Sequence, residues 1–448
     1  MLTIVLGFEE TGLFQCKRNL VFNYIYGGFS MREKMNRRAF LKYSAAMGAT
    51  TAISGFPTFL RAQAPEIKIA SIQPVTGVIS DIGISMRRAN QLAVDDINAR
   101  GGIRSMGGAK LKLLLADTGA KEEVARIEAD RVIKEGAICL IGPFLSDNAM
   151  TIATLCEQRG ILFLMDVAAT DDITRKGFKY TFRVFPTTSK YADSMLIYMS
   201  QIMKEKNISQ IKGVVTSSGD PADQVLGATF IKALKEKKFP IEVLGHIEYP
   251  FDVQDLVAEV SMIKALKPDV LFPVARSRDA KLMIRELYKQ KVGLQAIISP
   301  GGPGWYEPEF FREMKALADY VMDNVPWYNP LGKMYKEMNA AFSKKYPGKY
   351  IDTNSGYAYL AVLVLADALE RAKSAKPENI VAAFKKTYFK QDLMVGLAVN
   401  FDERGDNINA DTAMIQILKG STKVVLPSKA AEAEYIYPMP KQLWERGM

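Results

Sequence analysis

A run of five apolar residues that stops at Gly-Pro and leads into polar residues constrains this fold more than any other feature. The run occupies residues 137–141, Gly142-Pro143 ends it, and a helical pattern begins after Ser146, Asp147 and Asn148. A short apolar run between turn residues predicts a buried parallel strand, and Ser, Asp or Asn before a helix predicts an N-cap. The loop between them then lies at the carboxyl edge of a sheet, where open α/β folds bind ligands.

The same strand-then-helix unit recurs through most of the chain. Over residues 66–184 we predict strands at 66–72, 111–115, 137–142 and 161–165, separated by helices at 83–99, 121–134 and 147–159. Four such units in about a hundred residues predict a doubly wound parallel sheet. The pattern restarts with a helix at 189–205 and continues to about residue 325. The predicted fold class is therefore α/β, with two doubly wound parallel sheets.

Helices dominate the sequence beyond Pro326-Trp327. We predict them at 330–345, 355–372 and 377–386. The segment 355–372 is apolar, but it is shorter than the ~20 residues that a membrane span needs, so we interpret it as a core helix. The tail from Leu393 is predicted to be extended and to end in irregular polar sequence.

The first 64 residues have the features of an export leader. Residues 36–42 read Asn-Arg-Arg-Ala-Phe-Leu-Lys, a twin-arginine motif, and a mildly apolar stretch follows to residue 60. Small residues at Ala62 and Ala64 fit cleavage after Ala64. We therefore expect a leader with a twin-arginine signal peptide at 1–64, export by the twin-arginine machinery and a periplasmic mature protein. A basic, alanine-rich surface helix is the alternative.

Charge and cysteine content narrow the possible functions. The chain has a formal net charge of +10. Residues 1–64 hold eight Lys or Arg and three Asp or Glu, so the leader contributes +5 and the mature part about +5. Such a mild, dispersed charge gives little support to nucleic-acid binding.

Cys139 and Cys156 lie in apolar patterns. They could form a disulfide or be two buried free thiols, and the sequence leaves both alternatives open.

Motifs for catalysis, metals and cofactors are missing from the sequence. The only histidine, His246, falls in a predicted strand, and no Cys/His cluster has zinc spacing. The segment 301–304 lacks the Lys-Ser/Thr of a phosphate-binding loop, and no Gly-x-Ser-x-Gly elbow occurs. We expect a protein without enzymatic activity, cofactor or metal.

Several stretches together resemble the leucine/isoleucine/valine-type (type I) periplasmic binding proteins of ABC transporters. In chain order they are residues 73–77, 95–103, 141–146, 168–170, 180–183, 356–358, 368–372 and 401–406. The resemblance covers roughly residues 66–420. It implies two α/β lobes joined by three hinge crossings, with lobe one at 65–184 plus 327–390 and lobe two at 185–326 plus 391–448.

The resemblance also implies a function. Proteins of this kind bind a solute in the cleft between the lobes and deliver it to the membrane subunits of an ABC permease, without chemistry on the solute. The expected solute is a branched-chain amino acid or a related small carboxylate or amide. A ligand-sensing regulatory protein of the same fold is the alternative.

The family's ligand contacts in lobe one match two loops of this chain. Ser146 matches the serine whose hydroxyl and N–H hold the ligand carboxylate. Ala168 and Thr170, with Ala169 between them, match the residues that hold the amino and carboxylate ends. Simple helix capping is the alternative role for Ser146 and Thr170.

Lobe two departs from the family pattern. A family glutamate that pairs with the ligand ammonium is replaced here by the loop at Gly301, which removes a charge-assisted partner worth about 1.5–3 kcal/mol. Either Asp147 or Asp223 replaces it, or the ligand has no ammonium. Arg276, at the end of a predicted strand, is a candidate for holding a carboxylate, and a solvated surface arginine is the alternative. Trp305, with its neighbour Tyr306, is a candidate for stacking on an apolar or aromatic group, and packing at the hinge or surface is the alternative.

Overall fold

The computed structural model describes residues 24–26, 29–31, 65–77 and 79–447. The chain divides into two units, Met1–Gln63 and Ala64–Met448. In the first unit, the strands Tyr24–Tyr26 and Phe29–Met31 pair antiparallel. The twin-arginine motif and the proposed cleavage site at Ala64 lie outside the described residues, so both stay predictions.

The first sheet of the second unit is parallel throughout and has the order β2-β1-β3-β4-β5. Its strands are β1 (Glu66–Gln73), β2 (Lys110–Asp117), β3 (Cys139–Ile141), β4 (Leu162–Met165) and β5 (Thr181–Arg183). The helices that connect them are α1 (Ser80–Ala99), α2 (Glu122–Lys134), α3 (Ser146–Arg159) and α4 (Asp172–Arg175). All residues of β3 and β4 are buried, as their continuous apolar runs predict.

The second sheet has seven strands in the order β12-β11-β10-β9-β8-β6-β7. They are β6 (Ile211–Ser218), β7 (Ile241–Tyr249), β8 (Val270–Val274), β9 (Ala296–Ser299), β10 (Met322–Val325), β11 (Ala413–Leu418) and β12 (Ser421–Leu426). Its helices are α5 (Thr188–Glu205), α6 (Pro221–Glu236), α7 (Val257–Leu266), α8 (Ser277–Lys289) and α9 (Pro308–Met314). Strands β6 to β10 are parallel, so the predicted α/β class with two lobes is confirmed.

The tail beyond Leu393 contains a β-hairpin that the sequence analysis does not predict. Strand β11 pairs antiparallel with both β10 and β12. The two-residue turn between β11 and β12 has positive φ at Lys419 and Gly420, 52° and 71°, as the favoured hairpin turns require. The tail therefore completes the edge of the second sheet.

Three further helices cover the first sheet. They are α10 (Lys333–Lys345), α11 (Thr353–Ala372) and α12 (Pro377–Phe384). Asn90 of α1 links two layers, because its amide donates to the Ala358 carbonyl of α11 at 2.8 Å and its Oδ1 accepts from Ser71 of β1 at 2.7 Å. Helix α11 is largely buried, as expected of a core helix. No helix of the described chain combines the length and hydropathy that a membrane crossing needs.

The chain passes between the two sheets three times. It leaves the five-stranded sheet after β5, returns to the covering helices after β10, and crosses again between α12 and β11. The residue boundaries predicted for the two lobes stay predictions.

Cys139 and Cys156 are free thiols and are fully buried. Burial raises the pKa of both thiols. Of the two alternatives that the sequence leaves open, the structure therefore shows the buried free thiols.

Candidate functional site

A cavity of about 680 Å³ lies between the two lobes. Lobe one contributes the start of α1 and the loop after β3, and lobe two contributes the loops after β6, β8 and β9. Seven of the eighteen described residues that line it are aromatic: Phe144, Phe251, Tyr306, Phe311, Trp327, Tyr328 and Tyr350. The carboxyl edges of both parallel sheets thus face one cavity, the usual position of a ligand site in open α/β folds.

Ser146 and Thr170 lie next to each other at the carboxyl edge of the first sheet. The backbone N–H of Thr170 points at Ser146 Oγ over 3.4 Å. Ser146 is the first residue of α3, and its side chain does not cap the helix. Gly142, with φ of 135°, makes the loop after β3 possible, because a Cβ there would lie 2.1 Å from the Ile72 carbonyl oxygen. The structure thus brings together two predicted ligand residues, and neither serves as a helix cap. Neither of them lines the cavity, and Thr170 instead lines a smaller pocket of about 290 Å³ beside helices α5 and α6.

Arg183 fixes the loop after β4 through hydrogen bonds to the backbone of that loop. Its guanidinium is fully buried and donates to the carbonyl oxygens of Ala169 at 2.7 Å and Thr170 at 2.8 Å. The Ala169 carbonyl also accepts from the Thr188 N–H at 3.0 Å. Ala168, 1% exposed, packs its methyl group into the lobe-one core. The Ala169 carbonyl is therefore committed to the scaffold, a role of Arg183 that sequence reasoning missed.

Lobe two contributes an ion-pair cluster of Asp220, Asp223 and Arg276. Arg276 Nη2 lies 2.8 Å from Asp220 Oδ1 and 3.4 Å from Asp223 Oδ1. Asp223 is fully buried and accepts from Ser218 Oγ at 2.6 Å. Burial raises the pKa of Asp223 to about 6, although Arg276 and Ser218 oppose the shift. Asp220 and Arg276 line the cavity, and Asp223 lies behind them.

Asp220 also caps helix α6, since its Oδ1 accepts from the Ala222 N–H at 2.9 Å. Asp147, by contrast, is exposed and is not among the cavity residues. Of the three aspartates Asp147, Asp220 and Asp223, only Asp220 lines the cavity. Its signal in the sequence is an Asp-Pro pair that opens a helix directly after a strand.

Gly301 and Trp305 do not reach the cavity wall. Gly301 is buried, and a Cβ there would lie 2.7 Å from the ring of Tyr191. Trp305 is 1% exposed and packs edge-on against Phe310, with ring centroids 5.3 Å apart. Because a tight turn rotates successive side chains to different sides, its neighbour Tyr306 takes the cavity position predicted for Trp305.

Aromatic rings continue from Tyr306 across the second crossing between the lobes. Tyr306 meets Trp327 edge-on at 5.2 Å, and Trp327 stacks on Tyr328 at 5.0 Å. Tyr328 in turn stacks on Tyr335 at 4.3 Å. The resemblance predicts a crossing near Pro326, but no ligand role was predicted for Trp327 or Tyr328, so this part of the wall was missed. Three consecutive residues, Pro-Trp-Tyr, at a predicted crossing were the available signal.

Two further carboxylates line the cavity. Asp352 caps helix α11 and accepts from Ser355 N–H and Oγ, both at 2.8 Å. Burial raises the pKa of Asp352 and of Glu307.

No cluster of three or more potential metal ligands occurs in the described part of the chain. His246 lies in β7 with Nε2 3.0 Å from Ser217 Oγ, outside the cavity.

Comparisons with known proteins agree with this architecture. The periplasmic binding protein family matches residues 66–422. Leu/Ile/Val-binding protein homolog 8 of Brucella abortus is 25% identical over 410 residues, covering 87% of this chain and 97% of that protein. The leucine-, isoleucine-, valine-, threonine- and alanine-binding protein of Pseudomonas aeruginosa is 24% identical over 379 residues, covering 84% and 96%.

Solved structures share the fold. The substrate-binding protein LivJ of Streptococcus pneumoniae, solved in complex with isoleucine, superposes with a TM-score of 0.66 at 19% identity. That match covers 83% of this chain and all of LivJ. A putative branched-chain amino acid ABC transporter protein of Silicibacter pomeroyi gives a TM-score of 0.74 at 16% identity, covering 83% of this chain and 99% of that one.

Proposed function

Because the chain belongs to the periplasmic binding protein family, whose members bind solutes and are not enzymes, we propose that it is the extracytoplasmic receptor of an ABC importer. The observation that carries this proposal is the cavity between two lobes, at the carboxyl edges of both parallel sheets. The solute is a branched-chain amino acid or a related small carboxylate or amide. The Pseudomonas aeruginosa relative, which binds such amino acids by its name, supports this class.

In this proposal lobe one holds the ligand carboxylate. Ser146 directly follows the cavity residues Phe144 and Leu145. Its hydroxyl and the N–H groups at the start of α3 suit a bound anion, because the N-terminus of a helix carries partial positive charge. The Thr170 hydroxyl and the Ala168 carbonyl serve the amino end, since the Ala169 carbonyl is occupied by Arg183. The residues of lobe two that meet the ligand are Asp220 and Arg276.

Function then follows from a shift between open and closed forms. A ligand that touches both lobes binds the closed form more tightly and so increases its population. The closed form is the one delivered to the membrane subunits of the permease. The leader, with its twin-arginine motif, takes the folded protein to the periplasm and is removed near Ala64.

The test begins with protein exported to the periplasm and purified without denaturation. Native mass spectra would show a bound solute, which is identified after release by unfolding. An empty protein would be screened by thermal shift against amino acids, amides and small carboxylates. A ligand at 100 times its Kd should add about 2.7 kcal/mol to the free energy of unfolding. Conversion of a bound solute, or no binding across the whole panel, would contradict the proposal.

A further inference from the structure

The cavity differs in its walls from a pocket built for a short aliphatic side chain. Four rings form its aromatic wall, which we define as Phe144 of lobe one, Tyr306 of lobe two, and Trp327 and Tyr328 at the second crossing. Aromatic side chains favour ligands with an aromatic ring. A pair of aromatic rings gains about 0.5–1.5 kcal/mol in addition to the free energy that comes from burying their surface. The cavity volume of about 680 Å³ also lies within the range of pockets for ligands larger than a branched-chain amino acid.

The aromatic wall is rigid as well as apolar. Trp327 is 7% exposed, and it is held between the edge-on contact with Tyr306 and the stacked ring of Tyr328. Tyr328 is supported from behind by Tyr335, almost parallel to it. A wall of this kind is already ordered before the ligand arrives, so binding costs little side-chain entropy.

The ionisable groups that face the cavity are predominantly acidic. Among its described lining residues, three are acidic, Asp220, Glu307 and Asp352, and only Arg276 is basic. Arg276 is already paired with Asp220 and with the buried Asp223. The ion-pair cluster therefore carries one net negative charge when both aspartates are ionised. Asp223 Oδ1 is buried and accepts no hydrogen bond within the described chain, and the guanidinium 3.4 Å from it is shared with Asp220.

A ligand carboxylate near this cluster would meet two aspartates of like charge and a guanidinium that both aspartates already share. An ammonium group would instead neutralise the cluster. Asp220 is the member placed to receive it, because its side chain is 22% exposed and lines the cavity.

We propose that the cavity selects a primary ammonium compound that carries an aromatic ring, such as an amino acid with an aromatic side chain, over a branched-chain amino acid. The ammonium binds Asp220 of the ion-pair cluster, and the ring lies against the aromatic wall. This inference rests on the proposed function and narrows its solute class.

The first test compares three probes on the exported protein by titration calorimetry: L-phenylalanine, L-leucine and 3-phenylpropionate. L-phenylalanine should bind at least ten-fold more tightly than L-leucine, which lacks the ring. It should also bind at least ten-fold more tightly than 3-phenylpropionate, which lacks the amine. Equal or tighter binding of either comparison probe would overturn the inference. Binding of some other panel solute, with none of the three probes, would overturn it but leave the receptor function standing.

Variants separate the two parts of the recognition. Tyr306→Leu should weaken L-phenylalanine at least ten-fold and change L-leucine by less than three-fold. Asp220→Asn, which can still cap helix α6, should weaken L-phenylalanine at least ten-fold without weakening 3-phenylpropionate. Tyr388→Leu and Asp95→Asn, at exposed positions outside the cavity, are the matched controls. The inference would be contradicted if Tyr306→Leu lost as much affinity for L-leucine as for L-phenylalanine while melting like the wild type. It would also be contradicted if Asp220→Asn lost as much affinity for 3-phenylpropionate as for L-phenylalanine while melting like the wild type.

Discussion

Arg183 and Asp406 form an ion pair that ties a predicted ligand loop to a crossing between the lobes. Arg183 Nε lies 3.3 Å from Asp406 Oδ1, while both Nη atoms hold the loop carbonyls of Ala169 and Thr170. The backbones join as well, because the Arg183 N–H donates to the Gly405 carbonyl at 2.8 Å. The position of the loop is therefore set by the first and third crossings.

Replacing Arg183 should destabilise the protein strongly. Arg183→Met leaves the Asp406 carboxylate without its partner and two loop carbonyls without donors. Breaking a buried pair in this way costs about 3–5 kcal/mol. The free energy of unfolding in urea measures the loss, and Arg175→Met, at a largely exposed arginine, is the control. A loss of less than about 1 kcal/mol would show that the pair has little role in the scaffold.

Ser146→Ala should reduce affinity but not stability. The side chain of Ser146 does not cap α3 and accepts only a long contact of 3.4 Å from the Thr170 N–H within the described chain, so its removal should change the free energy of unfolding by less than about 0.5 kcal/mol. A hydrogen bond to a charged ligand group is worth about 1.5–3 kcal/mol, which corresponds to ten-fold or more in Kd. Calorimetry with the solute found in the screen measures the change, with the exposed Ser200→Ala as control. Unchanged affinity would remove Ser146 from the site.

Asp223 should make stability depend on pH. Burial raises its pKa to about 6, above the unfolded value of about 3.9, so the folded protein favours the protonated carboxyl. Its contribution to stability is therefore full below pH 4 and is lost as the pH rises through 6. The facing groups are Arg276 and Ser218, which lower its pKa, and Asp220 and Asp279, which raise it.

The variant Asp223→Asn isolates this effect. The difference in unfolding free energy between variant and wild type should move in favour of the variant by up to about 3 kcal/mol between pH 4 and 7. Urea unfolding at a series of pH values measures it, and Asp95→Asn controls for the loss of an exposed carboxylate. A difference that stays constant over this range would mean that Asp223 does not titrate as the structure implies.

Cys139 and Cys156 should be inert in the folded protein. Both thiols are buried, which excludes reagents and holds the pKa of each well above its usual value. An aromatic disulfide reagent should therefore label them only after unfolding. Rapid labelling of native protein, or an intact mass lower by two hydrogens, would contradict the structure.

The sequence by itself determined the two parallel sheets and the strands at their centres. Runs such as 137–141 and 161–165 can be recognised as strands from the sequence alone. A strand that is buried on both faces must be apolar throughout, regardless of which strands pair with it. The N-terminal part of α3 and the loop after β4 were placed at one sheet edge for the same reason, since parallel strands end on the same side.

Only the tertiary structure decided which side chains reach the cavity and which edges the tail completes. The hairpin of β11 and β12 joins the second sheet through the pairing of β11 with β10, a strand almost ninety residues earlier in the chain. Asp220 rather than Asp223 lines the cavity, because Asp223 lies one turn further into α6 and is buried behind the ion pair of Asp220 with Arg276. Tyr306 rather than Trp305 lines it, because successive residues of a tight turn point their side chains to different sides. Local sequence specifies the strand and the turn, and the packing of the turn against the rest of the lobe decides which of its side chains faces the cavity.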